Sequence, residues 1–404
     1  MTHVSTHPFA PSHNVARLKE SATLAVAALA ASLRAAGREI IELGVGEPDF
    51  DTPDFIRAAA KRAIDTGVGH YTATEGILPL REAIVTDAAE RYRGSDRIDA
   101  RQVVVSTGSK QSLFNACFVL FGPGDEVLIP TPSWTSYFEM VTLARATAVS
   151  VPGDPHRSLK VSAESLAAAA TSRTRGIMLN SPTNPTGAVY DEDELAAILE
   201  LATERGWWLI SDEIYRRLSY DGPAPSLLEL AGERDRLVIV DGVAKAYAMT
   251  GWRIGWAIAP RPVAQAMVAL QSHTTSNASA VSQYAALAAL TEREASDRAV
   301  AAMVAEFDAR RRELLDRVSS EPRLPFVHPA GAFYLYLHVR GAYPSHEAPG
   351  SAFAQHLLDR HGIAVVPGAA FGTPDWVRMS YAASRDTLRV GTERLLAAYR
   401  ELVG

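Results

Sequence analysis

Short, almost wholly apolar runs alternate with Ala-, Leu- and Glu-rich helical stretches through the middle of this 404-residue chain. The runs are rich in β-branched residues and lie at 103–106, 126–129, 148–151, 176–179, 208–211, 237–240 and 254–258. Long helical patterns, such as 191–204, separate most of them. A strand that is apolar on both faces has to be covered on both, and parallel strands are joined by crossover helices. The alternation therefore predicts an α/β fold with a parallel sheet that helices cover on both faces.

The last hundred residues have a different pattern. A long helix with a polar face is predicted over 295–318, and a proline-rich break follows it at Pro322 and Pro325. The segments after the break alternate between strands at 333–338, 363–366 and 377–380 and helices near 353–360 and 387–402. This pattern predicts a second, smaller α+β domain.

At roughly 100–200 residues per domain, a chain of 404 residues predicts two or three domains. We expect an N-terminal tail and arm, part of which joins the small domain, over 1–45, a large domain over 46–295 and a small C-terminal domain over 296–404. Thr52 and Pro53 predict a helix near the start of the large domain, with Thr52 as its N-cap and Pro53 as its first residue. The first fourteen residues lack the basic head and apolar run of a secretory signal, and we expect them to be a flexible tail.

Composition and charge exclude several classes of function. The chain has 40 basic and 46 acidic residues, a formal charge of −6, and no dense Lys/Arg cluster, so we expect neither nucleic acid nor a membrane as a partner. Cys117 is the only cysteine, which excludes an internal disulfide and a Cys-based zinc site and makes the cytoplasm the default location. We predict no metal site, because no metal-ligand spacing occurs among the scattered histidines His273, His328, His338, His356 and His361.

Ligands of doubly wound sheets bind beyond the carboxyl ends of the strands, so the polar residues at those ends are informative. After the strand at 103–106, Thr107-Gly108-Ser109-Lys110-Gln111 opens a helix, which suits an anion cradle but is also compatible with an ordinary capped helix. This loop is not a Walker A motif, because the chain contains no Gly-Lys dipeptide. No G-x-G-x-x-G follows a strand, and no G-x-S-x-G nucleophile elbow occurs.

Three further strand ends carry candidate residues. Asn184 lies in a proline-rich turn and is either a fixed hydrogen-bond donor or plain turn chemistry. Asp212 and Tyr215 follow the strand at 208–211, where a buried carboxylate needs a partner unless it only caps the next helix. Lys245 and Arg253 follow the strand at 237–240 and could act as an amine nucleophile and a phosphate clamp, or be a surface lysine and a snorkelling arginine. Their occurrence together at successive strand ends favours a functional site.

At this point the sequence resembles the class I/II aminotransferases, which are pyridoxal 5′-phosphate (PLP) enzymes of fold type I, and most of all their bacterial aspartate aminotransferase-like subgroup. Gly242-Val243-Ala244-Lys245 through Arg253-Ile254-Gly255 matches the lysine-attachment signature of that family. The other matching segments are Gly44-Val45-Gly46-Glu47-Pro48-Asp49-Phe50, Tyr71 upstream of Gly76, Ser181-Pro182-Thr183-Asn184-Pro185-Thr186-Gly187, Asp212-Glu213-Ile214-Tyr215, Gly331-Ala332-Phe333-Tyr334 and Val377-Arg378-Met379-Ser380-Tyr381. The resemblance implies a large domain with a seven-stranded, mostly parallel sheet and a smaller α+β domain.

The resemblance also implies roles around the cofactor ring. Lys245 would bind PLP as a Schiff base, and Asp212 would keep the pyridine nitrogen protonated. Asn184 and Tyr215 would hydrogen-bond the phenolate oxygen, and Trp134 would stack on the ring. We expect Lys245, Asp212 and Tyr215 to be the catalytic residues.

The same resemblance implies a phosphate site and a substrate site. Ser109, the backbone N–H of Lys110 and Arg253 would bind the phosphate, together with Tyr71 from the other subunit of a homodimer. The substrate would contact Gly46, Trp134, Asn184 and Arg378, the last binding its α-carboxylate. Ala244 replaces the serine or threonine of many relatives, which removes one phosphate donor. No basic residue is assigned to a distal carboxylate, so strict aspartate specificity is not predicted.

These roles predict a transfer of the amino group from an L-amino acid to a 2-oxo acid by a ping-pong mechanism through pyridoxamine phosphate. A β-lyase and a specialised biosynthetic PLP enzyme would use the same residues and remain alternatives. A PLP-binding transcription regulator is disfavoured, because the roughly forty residues before Gly44 are too few for a DNA-binding domain.

Overall fold

The computed structural model describes residues 10–12, 14–16, 18, 22–92, 98–231 and 236–404. Each of the seven apolar runs forms a strand, and further short strands lie near both ends of the chain. The strands are β1 Ile41–Glu42, β2 Val103–Thr107, β3 Glu126–Thr131, β4 Thr147–Pro152, β5 Thr174–Asn180, β6 Trp208–Asp212, β7 Leu237–Gly242, β8 Ile254–Ile258, β9 Phe326–Val327, β10 Tyr334–His338, β11 Ile363–Ala364, β12 Val366–Pro367 and β13 Trp376–Ser380.

Helices follow most of the strands. They are α1 Ala22–Ala35, α2 Asp54–Asp65, α3 Leu78–Arg91, α4 Ser109–Leu120, α5 Ser136–Leu143, α6 Ala163–Ala169, α7 Glu192–Arg205, α8 Leu227–Leu230, α9 Arg261–Ser272, α10 Ala280–Thr291, α11 Arg293–Val318, α12 Pro349–His356 and α13 Arg385–Val403. Within the described parts of the chain, no helix combines the length and apolarity that a bilayer crossing requires.

The large sheet has the strand order β2-β8-β7-β6-β5-β3-β4. Only β8 is antiparallel to its neighbours, β2 and β7, and the remaining pairs are parallel. Side chains of one strand alternate between two hydrophobic clusters: Val103 and Val105 belong to one, and Val104 belongs to the other. Because both clusters are buried, the central strands are mostly apolar on both faces, and the predicted sheet with helices on both faces is confirmed.

A second set of strands gathers near the C-terminus. The antiparallel sheet β12-β13-β10-β9 packs with α11 and α13 around a separate core that includes Phe307, Phe333, Phe353 and Tyr399. The single strand predicted at 363–366 is two short ones, because β11 pairs in parallel with β1 while β12 pairs with β13. The β1–β11 pair therefore attaches the segment that leads to Gly46 to this part of the molecule. The division into 1–45, 46–295 and 296–404 stays a prediction.

The helix predicted after Thr52 begins one residue later than expected. Pro53 is the N-cap and α2 begins at Asp54, so the prediction that Thr52 caps this helix is wrong. The Thr52 hydroxyl instead donates a hydrogen bond to the carbonyl oxygen of Ala248 at 2.7 Å and accepts one from the indole of Trp252 at 3.0 Å. Thr52 thus ties the start of α2 to the loop that follows Lys245.

Candidate active site

A cavity of about 620 Å³ lies where the carboxyl ends of the central strands meet the β1–β11 region. All but one of the site residues predicted from the sequence line it: Gly46, Ser109, Lys110, Trp134, Asn184, Asp212, Tyr215, Lys245, Arg253 and Arg378. The exception is Tyr71, which is 90% exposed on the loop after α2. Its predicted place at a partner subunit's phosphate stays a prediction.

Lys245 follows the end of β7 and reaches into this cavity. Its ammonium group donates a hydrogen bond to the carbonyl oxygen of Gly46 at 2.5 Å. The Nζ atom lies 5.8 Å from the ring centre of Tyr215 and 5.9 Å from that of Phe333. Burial beside these rings lowers the pKa of Lys245 to about 8. A substantial fraction of this amine is therefore neutral near pH 8, the form that attacks carbonyl carbon and accepts protons.

Asp212 is the last residue of β6 and is buried. Its Oδ2 accepts a hydrogen bond from the hydroxyl of Tyr137 at 2.7 Å, and its Oδ1 accepts one from the backbone N–H of Ile214 at 3.2 Å. Burial raises the pKa of Asp212 to about 6, against the effect of these two donors. The carboxylate is ionised at neutral pH and has lone pairs left for a cationic N–H group.

Tyr137 was not singled out in the sequence, although it is the side chain that holds Asp212. It lies on α5, three residues after Trp134, and the two rings meet edge to face at 5.5 Å. The sequence signal that could have identified Tyr137 is a hydroxyl-bearing residue shortly after the end of β3. Several threonines and serines lie in the same segment and give the same signal. The sequence analysis includes Tyr334 in a matching segment but assigns it no role. In the structure its hydroxyl lies 2.7 Å from that of Tyr215.

Arg378 projects from β13 and is 1% exposed. Its Nη1 donates to Oδ1 of Asn184 at 2.9 Å, and its Nη2 donates to the carbonyl oxygen of Gly44 at 2.7 Å. Its Nε has no hydrogen-bond partner among the described residues. Burial lowers the pKa of Arg378, and no carboxylate of the described chain pairs with it. A buried guanidinium without a counter-ion is a binding site for an anion such as a carboxylate.

The contact with Arg378 also fixes the amide of Asn184. Because Oδ1 of Asn184 accepts from the guanidinium, its Nδ2 is left as a donor. The backbone N–H of Asn184 donates to Oδ1 of Asn180 at 2.8 Å, and Nδ2 of Asn180 donates to the backbone carbonyl oxygen of Asp212 at 2.9 Å. The turn is therefore tied to β6, which supports the interpretation of Asn184 as a fixed hydrogen-bond donor.

An anion cradle lies at the start of α4. Gly108 has a φ of +81° and leaves the helix without a side-chain cap, so the first N–H groups of α4 face outward. A Cβ atom on Gly108 would lie 2.5 Å from Nη2 of Arg253, and one on Gly255 would lie 2.2 Å from the backbone nitrogen of Ser109. Gly255 is needed for β8 and the helix start to approach this closely, because a Cβ there would meet backbone atoms. A Cβ on Gly108 would displace the guanidinium of Arg253 from the helix start. Helix N–H groups next to a guanidinium are a binding site for phosphate.

The side chain of Lys110 also faces the cavity, whereas the sequence analysis gave Lys110 a role only through its backbone. Its Nζ lies 4.6 Å from the ring centre of Trp134. Burial and the charge of Arg253 lower the pKa of Lys110. No carboxylate of the described chain pairs with this ammonium group, whereas Arg34, which lines the same cavity, is paired with Glu42 at 2.6 Å. Lys110 is therefore available to bind a second anionic group.

Comparisons with known proteins agree over nearly the whole chain. The family model described as "Aminotransferase class I and II" matches residues 38–395. The chain is 44% identical to the aspartate/prephenate aminotransferase of Cereibacter sphaeroides, over 96% of this chain and 98% of that protein. It is 41% identical to the aspartate aminotransferase of Geobacillus stearothermophilus, over 94% of this chain and 96% of that protein.

A solved structure has the same fold throughout. The aspartate aminotransferase from Thermus thermophilus with maleate matches with a TM-score of 0.92 at 39% identity. The match covers 97% of this chain and 100% of that chain. The likeness therefore extends over nearly the whole chain.

Proposed function

Because the chain belongs to the aminotransferase class I and II family and is a transaminase, we propose that it moves the amino group of aspartate, or of a similar L-amino acid with a second carboxylate, to a 2-oxo acid on PLP. The observation that carries the choice of substrate is that Arg378 and Lys110 lie in one cavity and neither has a carboxylate partner among the described residues. The relatives are named as aminotransferases, which does not favour the β-lyase alternative.

The cavity residues that come from the ends of the central strands and from the start of α4 fit PLP. Ser109, the backbone of Lys110 and Arg253 would bind its phosphate in the cradle at the start of α4, where a Cβ on Gly108 or Gly255 would obstruct the approach. When bound, PLP supplies an aldehyde that takes up the amino group and a protonated ring that withdraws electrons from the substrate α-carbon.

The ring would lie against Trp134. Asp212, held ionised at neutral pH by Tyr137 and Ile214, would pair with the ring nitrogen. The Nδ2 of Asn184 and the hydroxyl of Tyr215 would donate to the ring oxygen.

The substrate and the transferred proton would be handled by two side chains. Arg378 uses one N–H each of Nη1 and Nη2 for Asn184 and Gly44, so its other N–H groups are available for the α-carboxylate. Lys245 would take the proton from the α-carbon and return it, since its pKa of about 8 lets it gain and lose a proton near neutral pH. Gly46 would hold the Lys245 ammonium group through its carbonyl oxygen.

We also propose that the enzyme works as a homodimer in the cytoplasm, with Tyr71 of one subunit reaching the phosphate bound by the other. Tyr71 is 90% exposed and does not line the cavity of its own chain. The cytoplasmic location rests on the single, buried Cys117.

The assignment of Lys110 to the distal carboxylate follows from the other cations of the cavity. Arg34 is neutralised by Glu42, and Arg253 lies at the anion cradle. Arg378 is the buried arginine suited to the α-carboxylate, which every amino-acid substrate has. Lys110 is then the cation left for a second carboxylate, and the maleate named in the Thermus thermophilus structure is a dicarboxylate.

The test compares two donors in the Lys110→Gln variant. We expect kcat/KM for aspartate to fall roughly 10–100-fold, because a charge-assisted hydrogen bond is lost, while kcat/KM for alanine changes less than about threefold. Arg34→Gln is the matched control, since it removes a cation of the same cavity that already has a partner, and it should leave the ratio of the two donors nearly unchanged. Equal losses for aspartate and alanine in Lys110→Gln would contradict the proposed substrate class.

A further inference from the structure

Three side chains that commonly bind metals meet near the C-terminus, outside the cavity described above. His356 ends α12, His361 ends the turn that follows, and Glu401 lies near the end of α13. One possible ligand atom from each residue lies within 4.8 Å of those of the other two. The two imidazole rings have centres 5.3 Å apart.

The backbone explains why the sequence spacing gave no metal signal. His356 and His361 are five residues apart, and in an α-helix five residues rotate by about 500°, which places the two side chains on different faces. Here Leu357–His361 is a π-helical turn. The i→i+5 hydrogen bonding of a π-helical turn places a residue nearly above the one five positions earlier, so His361 lies over His356. Such turns are frequent at functional sites.

One nitrogen of each imidazole ring has no hydrogen-bond partner among the described residues. The Nε2 atoms of His356 and His361 are both buried and have no hydrogen-bond partner in the described parts of the chain. The nearest oxygen of Glu401 is 3.6 Å from Nε2 of His361, which is long for a hydrogen bond. Buried polar atoms without a partner destabilise a fold, so an unexplained pair of them points to a missing partner.

A divalent cation accepts a lone pair from each neutral ring, and the carboxylate of Glu401 offsets part of its charge. Two imidazoles and one carboxylate suit Zn²⁺ and similar transition metals rather than Mg²⁺ or Ca²⁺, which prefer oxygen ligands.

We propose that His356, His361 and Glu401 bind a divalent transition-metal ion, with Zn²⁺ as the probe ion. Tetrahedral Zn²⁺ with Zn–N distances of about 2.0–2.1 Å needs its ligand atoms roughly 3.3–3.5 Å apart. Side-chain rotations that move the ligand atoms by about 1 Å would bring them to this spacing. Glu401 is 62% exposed at its side chain and is able to turn toward the rings. The proposal does not depend on the substrate or on the catalytic roles given above.

The site would join separate elements of the C-terminal region. The ion would link the end of α12 and the π-helical turn to α13. The carbonyl oxygen of Gly362, the next residue, accepts a hydrogen bond from the backbone N–H of Ile41 and so continues the connection to β1. A bound ion should therefore stabilise the folded protein in proportion to its affinity.

The test is equilibrium dialysis of the PLP-loaded full chain against Zn²⁺, followed by metal analysis, for the wild type and four variants. His356→Gln and His361→Gln should each lose one equivalent of Zn²⁺ or bind it at least about tenfold more weakly. Glu401→Gln should weaken binding less, because both rings remain. His156→Gln removes an exposed histidine outside the cluster and should bind Zn²⁺ like the wild type, and all chains keep His3 and His7, so any binding there cancels in the comparison.

Thermal unfolding of the same proteins with and without metal separates metal binding from a folding defect, because each variant is compared with itself. Zn²⁺ should raise the midpoint of the wild type and of His156→Gln but not that of His361→Gln, and Mg²⁺ should raise none. Zn²⁺ stoichiometry and affinity that are the same in the wild type, His356→Gln and His361→Gln would overturn the proposal. So would a Mg²⁺ effect equal to that of Zn²⁺.

Discussion

The inner and outer ends of the active-site cavity are built in different ways. At the inner end, Asp212 ends the buried strand β6 and Lys245 lies shortly after the end of β7. Tyr137 and Gly46 hold these two side chains in place through hydrogen bonds. At the outer end, α1 supplies part of the wall, and its Leu24 is 68% exposed. The inner end has fixed hydrogen-bond partners, whereas much of the outer wall faces solvent.

This difference matches the division of labour that we propose. Chemistry common to all amino-acid donors needs groups fixed to within a fraction of an ångström, which strand ends in a packed sheet provide. Choice of the donor's side chain depends on groups such as Lys110, which lies against Trp134 and has no ion-pair partner among the described residues. Substitutions at the inner end should therefore affect every donor, and those at the outer end should affect donors selectively.

The largest effect is expected at Lys245. Lys245→Ala removes the base and the attacking amine together, so transamination should fall roughly 10³-fold or more with every donor. Single-turnover kinetics with aspartate and alanine would measure the loss. Borohydride reduction should fix PLP to the wild type but not to the variant.

Lys61→Ala is the matched control, because Lys61 is an exposed lysine on α2. Its turnover should equal that of the wild type. Near-normal turnover in Lys245→Ala, or a loss confined to one donor, would break the assignment of Lys245 to the common chemistry.

Asp212 should show opposite effects on activity and on stability. Asp212→Asn should lower kcat roughly 10²–10³-fold with all donors, because the proposed partner of the ring nitrogen loses its charge. In the cofactor-free protein the same change should raise the free energy of unfolding at pH 8 by about 1–3 kcal/mol. The physical reason is that burial disfavours the ionised carboxylate in the folded state.

The sign of that stability change follows from the pKa of Asp212, which burial raises from 3.8 to about 6. A group with a raised pKa holds its proton more tightly when folded, so its contribution to stability is complete below pH 3.8 and is lost as the pH rises through 6. Urea unfolding of wild type and Asp212→Asn should therefore coincide near pH 4, separate progressively as the pH rises to about 6, and differ by a constant amount above that pH. A variant less stable than the wild type at pH 8 would show that the carboxylate's hydrogen bonds outweigh its burial.

The inner end could be predicted from the sequence because strand pattern and strand-end chemistry are local. Asp212, Lys245 and Asn184 each follow an apolar run, and the topology of a parallel sheet brings such positions to one edge. The resemblance to a known family added Trp134 and Arg378, which are not next to those strands in the sequence.

The remaining features depend on side-chain direction and on local backbone geometry. The position of Lys110 in the sequence predicts that its backbone lies at the start of a helix. Only the structure shows that its ammonium group lies over the ring of Trp134. Tyr137 acts through a contact with Asp212 between residues 75 positions apart. The π-helical turn that brings His356 and His361 together has no pattern in a single sequence that separates it from an α-helix.

The smallest effect is expected at Tyr71, and it tests whether the inner end is completed by a second chain. Tyr71→Phe should weaken PLP binding roughly tenfold, because one hydrogen bond to a phosphate dianion is lost, and the absence of a hydroxyl at Ala244 makes that donor more important. Fluorescence titration of the cofactor-free protein would measure the affinity. Tyr284→Phe is the matched control, since Tyr284 is another exposed tyrosine and has no assigned role.

Mixed dimers of Tyr71→Phe and Lys245→Ala chains decide which subunit Tyr71 serves. If Tyr71 acts across the interface, each mixed dimer has one site with both changes and one site with neither, so its intact site should bind PLP as tightly as the wild type. If Tyr71 serves its own chain, each site has one change and wild-type affinity combined with wild-type turnover is not recovered. Because the Tyr71→Phe homodimer retains activity of its own, the recovery is measured per Lys245-containing chain against that homodimer. Recovery to the wild-type value would place a side chain that is 90% exposed in the single chain at the partner's phosphate.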